Sequence, residues 1–318
     1  MAEFKEKASN FNFNQKPPRG NLQNYQNTPA VKKTQDLINH IRTAIAEIYE
    51  EPEASAIAFA VAGHVLGIGR LELSMQRYDL VSHEVEVTTE KLIERLLQHE
   101  PLQYVLGIAH FFDLELKVTP AVLIPRPETE ELVAQIIKEN QHRPQLHILD
   151  IGTGSGCIAI TLAEVLDCAK VYGLDISEKA LEVSHENALK YGQPIQWIKA
   201  DIFEDKIPVK AHSLDILVSN PPYVLENEKP KMRKNVLDHE PHLALFVPDN
   251  DALLYYKRIA EVGKKWLKPG GKLYFEINEQ FADPLIEMLK SQGYQSLSVS
   301  CDLFGKDRFV TAALPTRT

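Results

Sequence analysis

From residue 146 onward, short apolar runs alternate with stretches of helical periodicity, and this alternation limits the possible folds more than any other feature of the chain. Runs rich in Ile, Leu and Val predict strands over 146–151, 171–176, 195–200, 214–219, 272–277, 296–301 and 308–314. Helical spacing fills 155–167, 178–191, 251–267 and 280–292, and Lys268-Pro269-Gly270-Gly271 reads as a helix-stopping turn before the next strand. Strands joined through helices pair in parallel, and a parallel sheet must be covered on both faces. The expectation is an α/β fold built on a seven-stranded, mostly parallel sheet.

The preceding segment reads differently. Leu37, Ile38, Ile41, Ile45 and Ile48 fall on one helical face. A second apolar stretch, Ala54 to Leu66, meets a stop at Gly67 and Gly69, and a third helix carries Leu71, Leu73 and Met75. Thr88 or Thr89 is expected to cap a fourth helix with Leu92, Ile93, Leu96 and Leu97 turned inward. Residues 34–100 thus read as a small helical domain for recognition, with nothing catalytic in it. Tyr104–Gly107 and Phe111–Val118 read as two strands of a hairpin linker over 101–122. Pro127 suits a first helical position, with acids after it, and opens the main domain over 123–318. Residues 1–33 are polar, Asn/Gln-rich and aperiodic, and read as a disordered tail or an appended extension.

Charge divides unevenly along the chain. The first 34 residues carry +4 and the remainder −13, within a net charge of −9. An acidic body is a poor platform for nucleic acid, whose binding rests on phosphate neutralisation. No apolar run approaches a membrane span and no signal-like segment opens the chain, so a cytoplasmic protein is expected. The three cysteines are scattered, which argues against a disulfide framework or a metal site.

The first strand of the alternating region runs into Asp150-Ile151-Gly152-Thr153-Gly154-Ser155-Gly156. Glycines at alternate positions let the backbone turn tightly and approach a ligand. The Gly-x-Gly-x-Gly spacing differs from the dinucleotide fingerprint Gly-x-Gly-x-x-Gly. Asp150 would repel a pyrophosphate but tolerates a cationic amino-acid group, and both facts favour S-adenosylmethionine over a dinucleotide. Asp175 closes the next strand, where an acid can accept ribose hydroxyls. Asp201 follows the third and can accept an adenine amino group, with Ile202 or Phe203 against the ring. Each aspartate also reads as a plain helix cap.

The fourth strand ends in Asn220-Pro221-Pro222-Tyr223. A residue before proline is held extended, and two prolines remove two N–H donors while leaving carbonyls free. The result is a rigid acceptor-rich lip beside an aromatic ring, suited to gripping a planar –NH2 group. An ordinary solvent-exposed turn is the plain alternative.

These motifs together resemble the class I S-adenosylmethionine-dependent methyltransferases, and more narrowly the PrmC/HemK family. Glu100–Gly107, the Ile-Pro-Arg-Pro-Glu-Thr-Glu stretch at 124–130, Asp150–Gly156, Asn220–Tyr223 and Asp302–Arg308 look like family motifs in family order. Ile202 stands where some members carry an aromatic residue. The resemblance implies a Rossmann-like methyltransferase sheet with a small N-terminal helical domain joined by a β-hairpin. It also implies methyl transfer to the glutamine amide in the Gly-Gly-Gln motif of class 1 peptide-chain release factors, in translation termination. Asn220, Pro221 and Tyr223 would then be catalytic, and Asn220 to Tyr223 would bind substrate. Asp150, Gly152, Thr153, Gly154, Ser155, Gly156, Asp175, Asp201, Ile202 and Asn220 would bind the cofactor. Arg126, Glu128 and Thr129 either close the cofactor pocket or only cap their helix. The expected partner is the release factor, with no metal, no direct nucleic acid, no membrane, and a monomeric state. An adenine-N6 methyltransferase gripping a flipped base is the alternative, disfavoured by the acidic body.

Overall fold

A computed structural model describes residues 33–316. The tail expected over 1–33 lies outside the described residues, except for Lys33. Five helices come first: α1 (Thr34–Ile45), α2 (Glu51–Leu66), α3 (Arg70–Met75), α4 (His83–Leu97) and α5 (Leu102–Leu106). They enclose a core of their own around Leu37, Ile41, Ile45, Ala58, Val61 and Leu96. Gly67 ends α2 at φ 67°, as a left-handed cap requires.

Three readings of this region are corrected. The cap of α4 is Ser82, whose hydroxyl accepts from the Val85 N–H; Thr88 and Thr89 sit inside the helix, bonded back to the Glu84 and Val85 carbonyls. Ser82 comes nearly two turns earlier, so the helix begins before the threonine pair. Leu97 turns outward, as do Leu71 and Met75. Tyr104–Leu106 belongs to the short helix α5, closed by Gly107 at φ 74°, because Pro101 starts a turn there rather than a strand. The hairpin is β1 (Ile108–Phe111) and β2 (Leu114–Lys117). It is pinned to the main body through Asn187, which accepts from the Lys117 N–H at 2.7 Å and donates to its carbonyl at 3.0 Å.

The sheet follows. Its strands are β3 (His147–Ile151), β4 (Lys170–Asp175), β5 (Gln196–Lys199), β6 (Leu214–Ser219), β9 (Leu267–Glu276), β10 (Gln295–Cys301) and β11 (Asp307–Ala313), in spatial order β10-β11-β9-β6-β3-β4-β5. A small parallel pair, β7 (Val224–Leu225) and β8 (Phe246–Val247), lies in the loop after β6. Only β11 runs antiparallel to its neighbours. The strand β9 starts five residues before its expected position: Lys268–Gly271 is an irregularity within the strand rather than a turn before it.

Side-chain alternation divides the core between the two faces. Leu149, Leu217 and Leu273 pack under α10 (Leu254–Trp266) and α11 (Ala282–Ser291). Ile148, Ile216, Val218 and Tyr274 pack under α6 (Pro127–Asn140) and α7 (Cys157–Val165). The remaining helices are α8 (Glu178–Lys190), along β4 and β5, and the single turn α9 (Lys234–Leu237) in the loop after β6. No helix among the described residues is long and apolar enough to cross a membrane.

Candidate active site

The chain leaves β3 toward β4 and β5, then returns to β3's other side at β6. The crevice beyond β3 and β6 is therefore the topological switch point, where α/β sheets bind ligands. Ile151 pairs with Ser219 across it, and the Ser219 hydroxyl donates to the Ile151 carbonyl at 2.7 Å. The glycine turn and the Asn-Pro-Pro-Tyr lip thus leave the sheet side by side.

A cavity of about 260 Å³ opens there. Gly152, Asp175, Asp201, Ile202, Asn220, Pro221 and Pro222 all line it, so both halves of the expected site meet in one space. Asp150, Thr153, Gly154, Ser155, Gly156 and Tyr223 do not line it. Gly152 has φ +73° and open space where a Cβ would stand, so only glycine suits the backbone and a ligand can come close. At Gly156 a Cβ would press on Ile160 at 3.0 Å and Ser184 at 3.1 Å; this glycine serves helix packing.

The turn consumes its own donors. Gly152 and Thr153 N–H bond the Leu174 carbonyl, Gly156 N–H bonds Thr153, and Gly154 N–H gives 2.9 Å to Asp175. Amides spent this way form no cradle for a phosphate, which suits a cofactor without one. Asp175 also accepts from the Ser177 N–H at 2.9 Å, and Asp201 from the Phe203 N–H at 2.9 Å. Each aspartate therefore both shapes its turn and faces the cavity. Burial raises the Asp175 carboxyl above its usual range, against three backbone N–H bonds that lower it.

Asp150 lies beneath the turn, fully buried. One oxygen accepts from the Thr153 hydroxyl at 2.6 Å, and the other has no partner. Burial pushes this carboxyl up to about 7, with the Asp175 charge adding to the rise. An ionised Asp150 is thus costly without a cation nearby, which fits a positively charged ligand above the turn.

Several lining residues were not singled out from sequence as cavity walls. Tyr255, near the start of α10, stacks edge-on to Phe203 with centroids 5.4 Å apart, and both face the cavity. Pro241, Leu243 and Ala244 come from the long loop after β6. That loop is tied to the stretch before α6 by Glu240, which accepts from Arg126 at 2.5 Å and from the Ile124 N–H at 3.2 Å. Arg126 therefore fastens a wall of the cavity as well as preceding α6.

Thr129, in the first turn of α6, reaches the lip. It accepts from the Asn220 Nδ2 at 3.2 Å and donates to the buried carboxylate of Glu276 at 2.6 Å. The Tyr223 hydroxyl gives the other Glu276 oxygen a bond of 3.1 Å. Burial, followed by Glu276, raises the Tyr223 hydroxyl far above its ordinary value, so it remains a donor. Tyr223 thus stands behind the lip, anchored to β9. The Asp302–Arg308 turn is held to the same strand end: Asp302 accepts from the Phe304 and Lys306 N–H groups and from Arg308, which also bonds the Ile277 carbonyl at 3.2 Å.

Comparison with known proteins matches this layout. The PrmC N-terminal domain model matches residues 36–107, and the Methyltransferase small domain model matches 128–242. The release factor glutamine methyltransferase of Bacteroides thetaiotaomicron is 45% identical over 273 residues, covering 86% of this chain and 97% of that protein. The chain belongs to the release factor glutamine methyltransferase family. The enzyme of that name from Flavobacterium psychrophilum is 40% identical over 86% of this chain and 98% of its own, and that from Lactococcus lactis 42% over 75% and 86%. The cavity presents an apolar and aromatic wall at Ile202, Phe203 and Tyr255, the strand-end carboxylates Asp175 and Asp201, and Asn220 at the lip.

Proposed function

We propose that this protein transfers a methyl group from S-adenosylmethionine to the side-chain amide nitrogen of the glutamine in the Gly-Gly-Gln motif of class 1 peptide-chain release factors. The observation that carries this reading is the Asn220 amide. One of its two N–H groups bonds Thr129, which orients Oδ1 as an acceptor on a residue of the cavity wall.

S-adenosylmethionine, when bound, supplies a methyl group on a positively charged sulfur. Asp175 and Asp201 would accept from its ribose hydroxyl and adenine amino groups, and Ile202, Phe203 and Tyr255 would pack against the faces of its ring and exclude water there. The glutamine amide nitrogen is a poor nucleophile because its lone pair is delocalised. Asn220 Oδ1 and the Pro221 carbonyl accept its two N–H bonds, which polarises the nitrogen and fixes its direction. Positioning of this kind supplies roughly 7–11 kcal/mol in favourable cases. A substrate lacking those donors strands two acceptors at about 1–3 kcal/mol each, and a carboxylate is repelled. The methyl–sulfur bond would break as the N–C bond forms, its electron pair staying on sulfur as the neutral thioether S-adenosylhomocysteine, and the amide proton would then pass to water. Residues 34–100 serve as the recognition unit for the substrate protein, in the cytoplasm and as a monomer.

The test mixes purified protein, labelled S-adenosylmethionine and recombinant release factor. Wild-type Gly-Gly-Gln should be labelled and its Gln→Ala version should not. Labelling of both, or of neither, refutes the reading.

A further inference from the structure

We infer that Glu276, which lies outside the cavity lining, sets the hydrogen-bond polarity of the substrate grip through Thr129 and Asn220. The inference rests on the reaction proposed above and names the residue that makes the site select –NH2.

The argument is one of donors and acceptors. An ionised carboxylate only accepts. Glu276 is 1% exposed, at the end of β9, with one oxygen 2.6 Å from the Thr129 hydroxyl and the other 3.1 Å from Tyr223. Burial raises the Glu276 carboxyl above its usual range; the Thr129 and Tyr223 hydroxyls, and then the charge of Arg308, held by Asp302 and the Ile277 carbonyl, act against that rise and favour the ionised form. The Thr129 hydroxyl has a single hydrogen, and Glu276 takes it. What Thr129 then offers toward Asn220, 3.2 Å away, is a lone pair. Asn220 must answer with its NH2, and its Oδ1 is thereby turned to the remaining side. A flipped Asn220 would set oxygen against the oxygen of Thr129.

Asn220 alone has no such preference, because its amide presents a donor and an acceptor of nearly equal shape. The selection is imposed from β9, across a helix terminus, onto the end of β6. Glu276 is thus a positioning residue and touches no reacting atom.

Glu276→Gln keeps the shape of the side chain but brings a donor. The Thr129 hydroxyl is then free to accept from it and to donate toward Asn220, so both orientations of Asn220 become accessible. With full-length protein and recombinant release factor, kcat should fall by roughly 10²-fold, while affinity for S-adenosylmethionine and the thermal midpoint stay near wild type. The reading specific to this inference is discrimination. A release factor carrying Gln→Glu in the Gly-Gly-Gln motif should inhibit wild type weakly. Against the Glu276→Gln variant its inhibition, relative to the Gln→Ala version, should strengthen about tenfold or more. A purely structural role would weaken both inhibitors alike.

Thr129→Ser should retain kcat within a few-fold and Thr129→Val should lose it, and the Glu276→Gln loss should be largely absent on the Thr129→Val background. Should Glu276→Gln fail to fold, the Ser and Val variants and their inhibitor ratios carry the test alone. Unchanged discrimination in folded Glu276→Gln, or equal activity of Thr129→Val and wild type, overturns the inference. Wild-type inactivity on the release factor would instead overturn the proposed function.

Discussion

Asp150→Asn measures what the turn's buried carboxylate costs the ligand-free protein. Asp150 is fully enclosed, with one oxygen on Thr153 and the other without a partner. Its carboxyl stands at about 7 against an ordinary 3.8. At 1.36 kcal/mol per tenfold change in proton affinity, that gap corresponds to about 4 kcal/mol. The folded protein binds this proton more tightly than the unfolded chain, so between pH 4 and pH 7 the folded state carries more protons. Stability therefore falls as pH rises through that window, and the cost is fully present above it. The asparagine variant has no such slope. Its NH2 instead meets the partnerless side of the pocket, at about 1–3 kcal/mol at every pH. Urea denaturation from pH 4 to pH 8 without cofactor should show two curves that cross. Near pH 4 wild type should be more stable, and at pH 8 the variant should lead by roughly 1–3 kcal/mol. Taking the difference cancels most other carboxylates, and the repulsion between Asp150 and Asp175 is already part of the Asp150 rise. Saturating S-adenosylmethionine should narrow the gap at pH 8, because a cation favours the ionised form. Parallel curves, or a wild type that gains on the variant as pH rises, would refute the reasoning.

Three further outcomes follow from the site. Asn220→Ala should abolish methyl transfer while leaving S-adenosylmethionine binding within a few-fold by calorimetry; loss of both would assign Asn220 to the cofactor instead. Gly152→Ala should cost about 1–2 kcal/mol in denaturation, because φ is +73°, and should weaken cofactor binding by about tenfold or more, since Gly152 lines the cavity. Cofactor affinity at the wild-type level would mean that no ligand approaches that backbone. Arg126→Ala leaves the Glu240 side chain, 1% exposed, with the Ile124 N–H alone. Because Arg126 is itself 31% exposed, about 2 kcal/mol of stability should be lost rather than the full cost of a buried pair, and a loss under about 0.5 kcal/mol would refute that role.

The sheet was legible in the sequence because burial on both faces demands unbroken apolar runs, and 214–219 matched its strand end to end. The Gly-Gly pair at 270–271 misled, since a bulge inside a strand uses the same residues as a turn before one. Ser82 was overlooked for the same kind of reason: a threonine pair can cap a helix or bond back within it, and only the chain's path decides. At the site, Gly152, Asp175, Asp201 and Asn220 could be read because each closes a strand, and strand ends converge by topology. Thr129 and Glu276 are separated from Asn220 by 91 and 56 positions, and no local pattern links them. Tyr223 was singled out because it adjoins the lip, and the bond from its hydroxyl to Glu276 joins two positions that no local pattern links.

The distribution of these residues over the sheet explains why asparagine, among the polar residues, suits position 220. Serine has one hydrogen and cannot reach both Thr129 and a substrate from the end of β6. Aspartate would present only acceptors, and Thr129 has already given its hydrogen to Glu276. Glutamine carries the same group on a longer stem, at a further cost in rotamer freedom. Of these four, asparagine joins a donor for the scaffold to an acceptor for the substrate within one plane on the shortest stem. Pro221 contributes by holding its neighbour extended, so the plane is fixed by backbone as well as by hydrogen bonds. The lip thus takes its shape from the local chain and its polarity from β9. The cofactor half, built on β3, β4 and the segment after β5, shares no hydrogen bond with that relay. Substitutions along the relay should therefore change methyl transfer without changing cofactor affinity, and the β3–β4 residues should do the reverse. That separation is what makes the two halves of the site experimentally distinguishable.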